Sequence, residues 1–511
     1  MRSASAACHR AAKGETEKER RVMAPSQGKD GRLFRRRLSR RRLLVTGAAA
    51  AIGAVGVGVA ACSEEAKDHA KGAKQQEGFP APSGASTPAP TAETPPATPD
   101  AAAGTLMMGA GLGGNAEGIA EVAPGTLFFP YFGNVIALLT DEGILLVDTS
   151  LAANGGQIVQ ELRKRTDLPV RSIIYTHGHI DHVTGVDAFL SDAAARGDPR
   201  PSIIGHKRIA DRFRRYERMA GWTRFINSIQ FGAPIEPGAP PPPTPVFAYP
   251  DVTYDDRTTV ELGGESFELI HGMGETDDHT WVWAPDRNLV CAGDFFIWAC
   301  PNVGNPWKVQ RYAEGWADGL EAIAALHPAM LLPGHGPVIE GEEAVQTACV
   351  DTARYLRSIA EQVIERMNQG QWLEQILREV EPPADLTQKP YLQPVYGHPK
   401  FIVQGVWRQY GGWYDGNPAD FFPAPTADQA VEIVTLASAN ALLSRARDLQ
   451  TVGDLALACH LVDWVCEAEP SNAEAWRLRR GLYQARSERE VNMMSRNTFK
   501  GAANEAEEHL S

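Results

Sequence analysis

The sequence predicts an α/β fold followed by an all-α region. Residues 134–139 and 144–148 are short apolar runs separated by Thr-Asp-Glu-Gly, which predicts two strands joined by a hairpin turn. Residues 155–165 have the period of a helix, and residues 170–175 form an apolar run typical of a buried strand. Residues 427–510 have helical character throughout, so helices alone are expected in the C-terminal part.

Length and charge limit the class of protein. The chain has 511 residues, 43% of them hydrophobic, which indicates two or three domains and excludes a chain that is disordered throughout. The whole chain has a net charge of −13. Residues 1–42 contain 14 basic and four acidic residues, a net charge of +10, so the rest of the chain has a net charge of −23. A body this acidic repels phosphate backbones, and we expect no nucleic-acid partner. Seven cysteines are too few for a disulfide scaffold, and no C-x-x-C pair indicates a zinc ribbon or thioredoxin chemistry.

The N-terminal residues predict an export signal. Ser-Arg-Arg-Arg-Leu-Leu at residues 39–44 precedes an uncharged run at 43–61, and the paired arginines are typical of twin-arginine export. The run ends in Val-Ala-Ala-Cys, which resembles a bacterial lipobox in which Cys62 would carry a lipid. A membrane anchor at 43–61 is the alternative, and the basic lead before Ser39 is also consistent with an over-extended start. We therefore expect export across the bacterial inner membrane to the periplasm or cell envelope.

The segment that follows predicts a flexible tether. Residues 67–105 consist mainly of Pro, Ala, Thr, Ser and Gly with scattered charges. Such a composition buries too little apolar surface to offset the entropy of ordering the chain. The export signal is accordingly placed at residues 1–62 and the tether at residues 63–120.

A dense set of metal-ligand side chains follows the predicted strand at 170–175. Residues 176–182 read Thr-His-Gly-His-Ile-Asp-His, which places three imidazoles and one carboxylate within six residues. Imidazole nitrogen and carboxylate oxygen are ligands for zinc and its neighbours. Gly178 would allow the tight turn that wrapping a metal ion requires. The chain has 13 histidines, so a chance cluster of three is improbable.

This motif resembles the signature of the metallo-β-lactamase superfamily, His-x-His-x-Asp-His after a buried strand. The resemblance implies an αββα sandwich with a dinuclear metal site on its edge. It also implies three later ligands: a residue on the next loop, a bridging carboxylate and a late histidine.

Those later ligands can be carried over residue by residue. Most members have a histidine where this chain has Glu275, but the alkylsulfatase branch has a glutamate there; Asp278 or His279 could substitute. Asp294 matches the bridging carboxylate in a Gly-Asp pair, where most alkylsulfatases have Glu. His335 matches the histidine of a Pro-Gly-His-Gly turn.

The resemblance assigns a complete set of ligands. It implies His177, His179 and Glu275 on one metal, Asp181, His182 and His335 on the other, and Asp294 shared. Two divalent cations lower the pKa of a bound water from 15.7 toward ~7, with Asp181 and Asp294 as the catalytic carboxylates. Zinc is the expected metal, and manganese or iron is the alternative.

The C-terminal region carries a second family mark. Residues 343–380 have helical periodicity, and residues 409–418 read Gln-Tyr-Gly-Gly-Trp-Tyr-Asp-Gly-Asn-Pro. This run resembles the opening of the dimerisation domain of alkylsulfatases, which implies a homodimer. Residues 454–475 resemble a helix pair of tetratricopeptide character, with Cys459 and Cys466 in its core.

The resemblance is weaker in the substrate-binding residues. The arginine that the family uses to hold sulfate is out of register, so Asn302 and either Lys308 or Arg311 are the expected substrate contacts. His279 is the candidate general acid. The Arg/Tyr/Trp-rich residues 208–231 could either line the pocket or form an exposed amphipathic helix.

These observations predict an exported dinuclear metal-dependent hydrolase resembling alkylsulfatases. Its catalytic domain would span residues 121–345 and its helical dimerisation domain residues 346–511. Its partners would be a small-molecule ester and a second copy, with the membrane reached only through the N-terminal lipid. The alternatives are a hydrolase of another ester class (lactone, thioester, phosphoester or β-lactam) or a non-catalytic lipid-anchored binding protein.

Overall fold

The computed structural model describes residues 119–233, 235 and 246–511. The predicted export signal at residues 1–62 lies outside the described residues, as does nearly all of the predicted tether at residues 63–120. Within the described ranges, the helices are too short or too polar for any of them to span a bilayer.

The first sheet is formed by the N-terminal part of the described chain. Its strands, in spatial and chain order, are β1 (Ala120–Ala123), β2 (Thr126–Phe129), β3 (Val135–Thr140), β4 (Gly143–Val147), β5 (Val170–Ile174), β6 (Ser202–His206) and β7 (Val252–Tyr254). Strands β1 to β4 pair antiparallel, and the predicted hairpin is the β3–β4 pair. Strands β4 to β7 pair parallel, so the carboxyl ends of these strands lie at one edge of the sheet.

The second sheet is formed by the following strands. They are β8 (Arg257–Leu262), β9 (Glu265–Gly272), β10 (His279–Ala284), β11 (Leu289–Ile297), β12 (Met330–His335) and β13 (Ile339–Glu340), in the spatial order β13-β12-β11-β10-β9-β8. The pairs are antiparallel except for β11 with β12. That parallel pair places the end of β12 beside the end of β11.

Helices cover the outer faces of the two sheets. Those within this part are α1 (Ala152–Arg163), α2 (Ile180–Val183), α3 (Val186–Arg196), α4 (Ile209–Arg218), α5 (Ala220–Gln230) and α6 (Ala313–Ala324). One apolar cluster lies between the sheets, where Phe128 and Leu145 of the first pack with Phe267 and Leu332 of the second. A second cluster joins the first sheet to α1 and α3, and a third joins the second sheet to α6. The predicted αββα sandwich is thereby confirmed.

The C-terminal region is all-α, as predicted. Its helices are α7 (Glu342–Asn368), α8 (Leu373–Glu379), α9 (Pro399–Gly411), α10 (Thr426–Ala437), α11 (Ala439–Val452), α12 (Leu455–Ala468), α13 (Ala473–Arg489) and α14 (Met493–Glu508). Helix α12 packs with α13, and Cys459 and Cys466 are buried in the cluster that these helices share. Helix α7 packs into the apolar cluster of the second sheet. The predicted domain boundary between residues 345 and 346 lies inside this helix.

Backbone packs directly on backbone where α9 meets the loop at residues 298–312. A Cβ atom built on Gly304 would lie 1.4 Å from the carbonyl oxygen of Phe401, and Gly405 of α9 contacts the same loop residue. Gln310 donates to the Gly405 carbonyl at 3.0 Å, and Arg408 donates to the Lys308 carbonyl at 3.2 Å. Helix α9 therefore determines the position of this loop.

Two histidines stack on each other between the sheets, at the edge where the parallel strands of the first sheet end. The rings of His206, at the end of β6, and His271, in β9, stack at 3.8 Å with 2° between their planes. Burial, with the neighbouring His271, lowers the pKa of His206 to about 4. His206 is therefore neutral in the folded protein near neutral pH.

Replacing Gly304 by alanine is expected to destabilise the protein. The added methyl group would overlap the Phe401 carbonyl, and such overpacking costs about 1–3 kcal/mol. Thermal unfolding of Gly304→Ala measures this loss. The matched control is Gly481→Ala, because position 481 lies within α13 with open space around it and alanine favours a helix by up to about 1 kcal/mol. Equal melting temperatures for the two variants would contradict the packing argument.

Acid is expected to lower the free energy of unfolding between pH 6.5 and about 4. A histidine with a depressed pKa in the folded state binds its proton more readily when unfolded. Its contribution is therefore present above pH 6.5 and is lost as the pH falls toward about 4. Urea denaturation across this range should give a shallower pH dependence for His206→Phe, which keeps a stacked ring but cannot be protonated. Parallel profiles for the variant and the wild type would show that His206 does not contribute.

Candidate metal centre and its pocket

The predicted motif begins on the short connection between β5 and α2 and ends within α2, which contains Asp181 and His182. Strand β5 ends at Ile174, and His177 and His179 follow before α2 begins at Ile180. A Cβ on Gly178 would lie 2.8 Å from Cδ of Arg212 and 3.1 Å from a carboxylate oxygen of Asp278. Glycine at this position allows the turn to pass between these two side chains.

One group of ligand atoms gathers around the first two histidines. His177, His179, Glu275 and Asp294 each offer an atom within 4.8 Å of the others. Oε2 of Glu275 lies 3.2 Å from Nδ1 of His179, and Oδ2 of Asp294 lies 3.7 Å from Nε2 of His177. His177 and Glu275 are buried, and the side chain of His179 is 16% exposed, so this group opens to solvent at His179.

A second group lies on the other side of Asp294. Asp181, His182 and His335 also offer atoms within 4.8 Å of one another. Oδ1 of Asp294 lies 3.3 Å from Nε2 of His182 and 3.5 Å from Nε2 of His335. Asp294 thus directs one oxygen to each group. The structure brings all seven predicted ligand residues together, in the same two groups that the sequence suggested.

The second ring nitrogen of several imidazoles has its own partner. Nδ1 of His177 lies 3.0 Å from Oγ1 of Thr176, Nδ1 of His182 lies 2.8 Å from Oδ2 of Asp148, and Nδ1 of His335 accepts from the Gly133 amide at 3.4 Å. These contacts fix the ring orientations so that each Nε2 faces the cluster. Asp148 also accepts from the amide and the hydroxyl of Thr176, both at 2.8 Å.

Asp148, which the sequence analysis did not single out, holds the ring of His182 and the residue before His177 at the candidate site. It follows β4, and its φ of 61° lies in the left-handed region, which is uncommon for a residue other than glycine. Its position at the carboxyl end of a parallel strand, next to the strand that leads into the motif, is the signal that could have identified it.

Asp278 has a different role from the one considered for it. It accepts from Nε of Arg212 at 2.7 Å and from the Gly178 amide at 3.2 Å. Burial alone would raise the pKa of Asp278, but the guanidinium of Arg212 holds this pKa well below its usual range. Asp278 is therefore an ionised partner of Arg212 that supports the histidine loop, and Glu275 is the member of this segment that reaches the cluster.

His279 lies behind the cluster. Its ring stacks on His177 at 4.7 Å, and its Nε2 accepts from the Asp294 amide at 3.0 Å. Burial lowers the pKa of His279 to about 3. Because Nε2 accepts from the backbone, the single proton of the neutral ring is on Nδ1, which is buried and has no hydrogen-bond partner among the described residues. A neutral imidazole is a very weak acid, so the geometry does not suit the general-acid role expected for His279.

Glu275 is held from outside by two of the residues expected to contact substrate. Arg311 donates to Oε1 of Glu275 and, at 2.8 Å, to the carbonyl of Asn302. The Asn302 amide nitrogen lies 3.4 Å from the same Glu275 oxygen. Against the effect of burial, Arg311 and His179 hold the pKa of Glu275 well below its usual range. Arg311 is thus engaged by Glu275 rather than free to grip a substrate.

Lys308 remains as a cation at the entrance to the cluster. Its Nζ donates to Oδ1 of Asn227 in α5 at 2.6 Å. Burial and the nearby Arg311 lower the pKa of Lys308 to about 8. The cavity here has a volume of about 160 Å³, and its wall includes His179, Arg215, Met219, Trp222, Ile226 and Lys308. The predicted segment 208–231 therefore lines the pocket.

The cluster concentrates charge away from water. Burial opposes protonation of His182 and His335, yet Asp294 and neighbouring carboxylates raise the pKa of both above the usual value. Burial also raises the pKa of Asp294 itself. These shifts have a common origin in several carboxylates that share a small volume from which solvent is largely excluded.

Comparisons with known proteins agree with this architecture. The family model for the metallo-beta-lactamase superfamily matches residues 129–335, and the model for alkyl sulfatase dimerisation matches residues 373–509. Each match falls within the part of the fold described above for the sandwich or for the C-terminal helices.

Relatives of this chain are about 25% identical to it in sequence over the aligned residues. A linear primary-alkylsulfatase of a Pseudomonas species is 25% identical over 389 residues, which are 72% of this chain and 73% of that protein. An (R)-specific secondary-alkylsulfatase of a Pseudomonas species is 24% identical, over 73% of this chain and 59% of that protein. The chain thus spans about three fifths of the secondary-type relative.

A solved structure shows the same fold. The stereoselective inverting sec-alkylsulfatase Pisa1 from a Pseudomonas species superposes with a TM-score of 0.67 at 22% identity, covering 76% of this chain and 65% of that one. The superposition covers 76% of this chain, and the two family matches fall on the sandwich and on the C-terminal helices. The chain is thus similar to the metallo-beta-lactamase superfamily over residues 129–335 and to the alkyl sulfatase dimerisation family over residues 373–509, and it resembles a linear primary-alkylsulfatase over 72% of its length.

Proposed function

We propose that the protein is a dinuclear metal-dependent hydrolase that cleaves alkyl sulfate monoesters to an alcohol and sulfate. The observation that carries the proposal is the convergence of seven imidazole and carboxylate side chains beneath a pocket with a cation at its entrance. The similarity to linear primary- and secondary-alkylsulfatases supports the substrate class.

The residues of the cluster fit a pair of divalent cations. Three of their buried polar atoms have no hydrogen-bond partner among the described residues, namely Nε2 of His182, Oε2 of Glu275 and Oδ1 of Asp294. Buried polar atoms are normally satisfied, and all three face the cluster, so each has a free lone pair where a cation would bind. The mixed nitrogen and oxygen set suits zinc, and the number of carboxylates also suits manganese or iron.

His177, His179 and Glu275 would hold one cation, Asp181, His182 and His335 the other, and Asp294 both. When bound, such a pair supplies an activated water and polarises the ester oxygens. Because Asp148 and Thr176 fix two of the rings, the ligand geometry is set before a substrate arrives.

The pocket itself fits an amphiphile with an anionic head. Lys308 and Arg215 provide positive charge in the wall of the pocket, which also includes His179 and Glu275 of the cluster. Met219, Trp222, Ile226 and Val309 provide an apolar wall farther out. An alkyl sulfate would direct its sulfate inward and its hydrocarbon along this wall.

A second substrate class follows from the position of Arg311. Because Glu275 and the Asn302 carbonyl occupy its guanidinium, the bidentate grip that arginine gives to a tetrahedral anion is replaced by the point charge of Lys308. A weaker anion grip favours an ester of lower charge. Of the alternative substrate classes, this favours a lactone, thioester or β-lactam over a phosphoester, with the same metal site.

We further propose that the enzyme is exported, with residues 1–62 as its signal and Cys62 as a lipid attachment point, and that it acts as a homodimer. The twin-arginine sequence at residues 39–44 supports export. The alkyl sulfatase dimerisation match at residues 373–509 supports the homodimer.

Purified protein is expected to contain about two metal ions per chain and to release sulfate from a medium-chain alkyl sulfate. His179→Ala should lower the metal content and reduce sulfate release by about 100-fold or more, because it removes a ligand at the open side of the cluster. Elemental analysis and a sulfate assay measure the two quantities. The control is His460→Ala, on the exposed surface of α12. Metal-free folded protein would refute the proposal, and activity on lactones or nitrocefin alone would favour the second substrate class.

Arg311 and Lys308 are expected to have separable roles. Arg311→Met should weaken metal binding by about 10- to 100-fold, measured by competition with a chelator, because Glu275 loses its outer partner. Lys308→Met should leave metal affinity unchanged and raise KM for the alkyl sulfate.

A pH profile provides the control for Lys308. The lysine is charged below its pKa of about 8, so KM of the wild type should rise as the pH passes that value and the rise should be absent in Lys308→Met. Equal losses of metal affinity in the two variants would contradict this division of roles.

A further inference from the structure

Helices α4 and α5 also present an exposed apolar surface beside the pocket. Their inner face lines the pocket, while the outer surface carries Met219, Trp222, Phe225 and Phe231, which are 43%, 51%, 50% and 40% exposed. The rings of Trp222 and Phe225 lie 5.7 Å apart. Both alternatives considered for segment 208–231 therefore hold for the same helices, and Met219 and Trp222 belong to the pocket wall as well as to the exposed surface.

The same surface is basic although the body of the protein is acidic. Residues 207–231 contain seven basic and two acidic residues, whereas the chain beyond residue 42 has a net charge of −23. Of the arginines in this segment, Arg212 is buried, Arg215 and Arg224 are half-buried, and Arg218 is exposed. Arg208, Arg212 and Arg214 form ion pairs with aspartates. Among the described residues, Arg215, Arg218 and Arg224 form none with a carboxylate. The aromatic side chains are thus flanked by cations whose charge is not neutralised nearby.

We propose that the outer face of α4 and α5 docks on the surface of an anionic lipid bilayer. Exposed aromatic rings beside arginines are the combination that partitions into the headgroup region of a membrane. Each basic residue adds attraction to anionic lipid over roughly a Debye length. The acidic remainder of the protein would be repelled from the same surface, so this face is selected as the contact.

Docking would bring the pocket to the membrane surface. Met219 and Trp222 belong both to the exposed face and to the wall of the pocket, so the entrance opens where the bilayer would lie. An amphiphilic substrate could then move from the lipid phase to the cluster without crossing bulk water. This last step rests on the proposed function, whereas the docking itself does not.

A fluorophore beside Trp222 tests the docking. Position 221 is exposed with open space around it, and so is position 481 in α13. The described cysteines are buried, so Gly221→Cys and Gly481→Cys, each in the full chain with Cys8 and Cys62 replaced by serine, would direct an environment-sensitive dye to one site. Vesicles of equal parts phosphatidylcholine and phosphatidylglycerol should blue-shift the dye at position 221 and leave the dye at 481 unchanged. Vesicles of phosphatidylcholine alone should have little effect.

The charge dependence supplies the second test. Arg218→Ser/Arg224→Ser should weaken binding to the anionic vesicles by roughly 25-fold, as expected for two arginines near a lipid surface. The matched control is Arg445→Ser/Arg489→Ser, which removes two exposed arginines elsewhere and should bind like the parent. The basic residues 1–42 are common to all variants, so their contribution cancels.

Three results would overturn the proposal. One is the absence of a shift at position 221 on anionic vesicles, and another is an equal shift at positions 221 and 481. The third is a shift at 221 that grows with protein concentration without vesicles, because a second copy of the chain would then cover this face. A folded state for each variant is verified by its melting temperature, and sulfate release measured separately distinguishes failure of docking from failure of the proposed function.

Discussion

Buried negative charge is the constraint on which the rest of the site depends. Carboxylates lie in or beside the cluster at five positions: Asp148, Asp181, Glu275, Asp278 and Asp294. Arg212 balances Asp278 and Arg311 balances Glu275. An unpaired buried ion costs several kcal/mol, so the other carboxylates require imidazolium or bound cations. The raised pKa values of His182 and His335 express this requirement within the protein itself.

Sheet topology brings these charges together. The carboxyl ends of β4 and β5 deliver Asp148 and the histidine motif from one sheet, while the parallel pair β11–β12 delivers Asp294 and His335 from the other. A Cβ on Gly334 would lie 2.0 Å from a carboxylate oxygen of Asp294, so glycine before His335 is needed for the two strand ends to meet. The site is thus a property of the edge where both sheets end, as in other folds with parallel strands.

The sequence predicted the parts of the site that have a fixed local spacing. His177, His179, Asp181 and His182 lie within six residues on a short connection and the one-turn helix that follows it, so their proximity follows from the local sequence. Glu275, Asp294 and His335 were found through the family resemblance. The partners of these ligands were not predictable in the same way. Whether Arg311 faces a substrate or Glu275 depends on how α9 positions its loop, and whether Asp278 meets a cation depends on Arg212 from another helix. The contact partners of Arg311 and Asp278 are therefore determined by packing between segments that are distant in sequence.

The contact between Gly304 and α9 has a consequence for how this branch diversifies. At Gly304 the loop backbone lies directly against the helix backbone, so at this point no side chain can deform to absorb a small displacement of the helix. A shift in the C-terminal helices is passed undamped to the loop that carries Asn302 and Lys308. Selection for new ester preferences can therefore act through residues of the helical region that never touch a ligand.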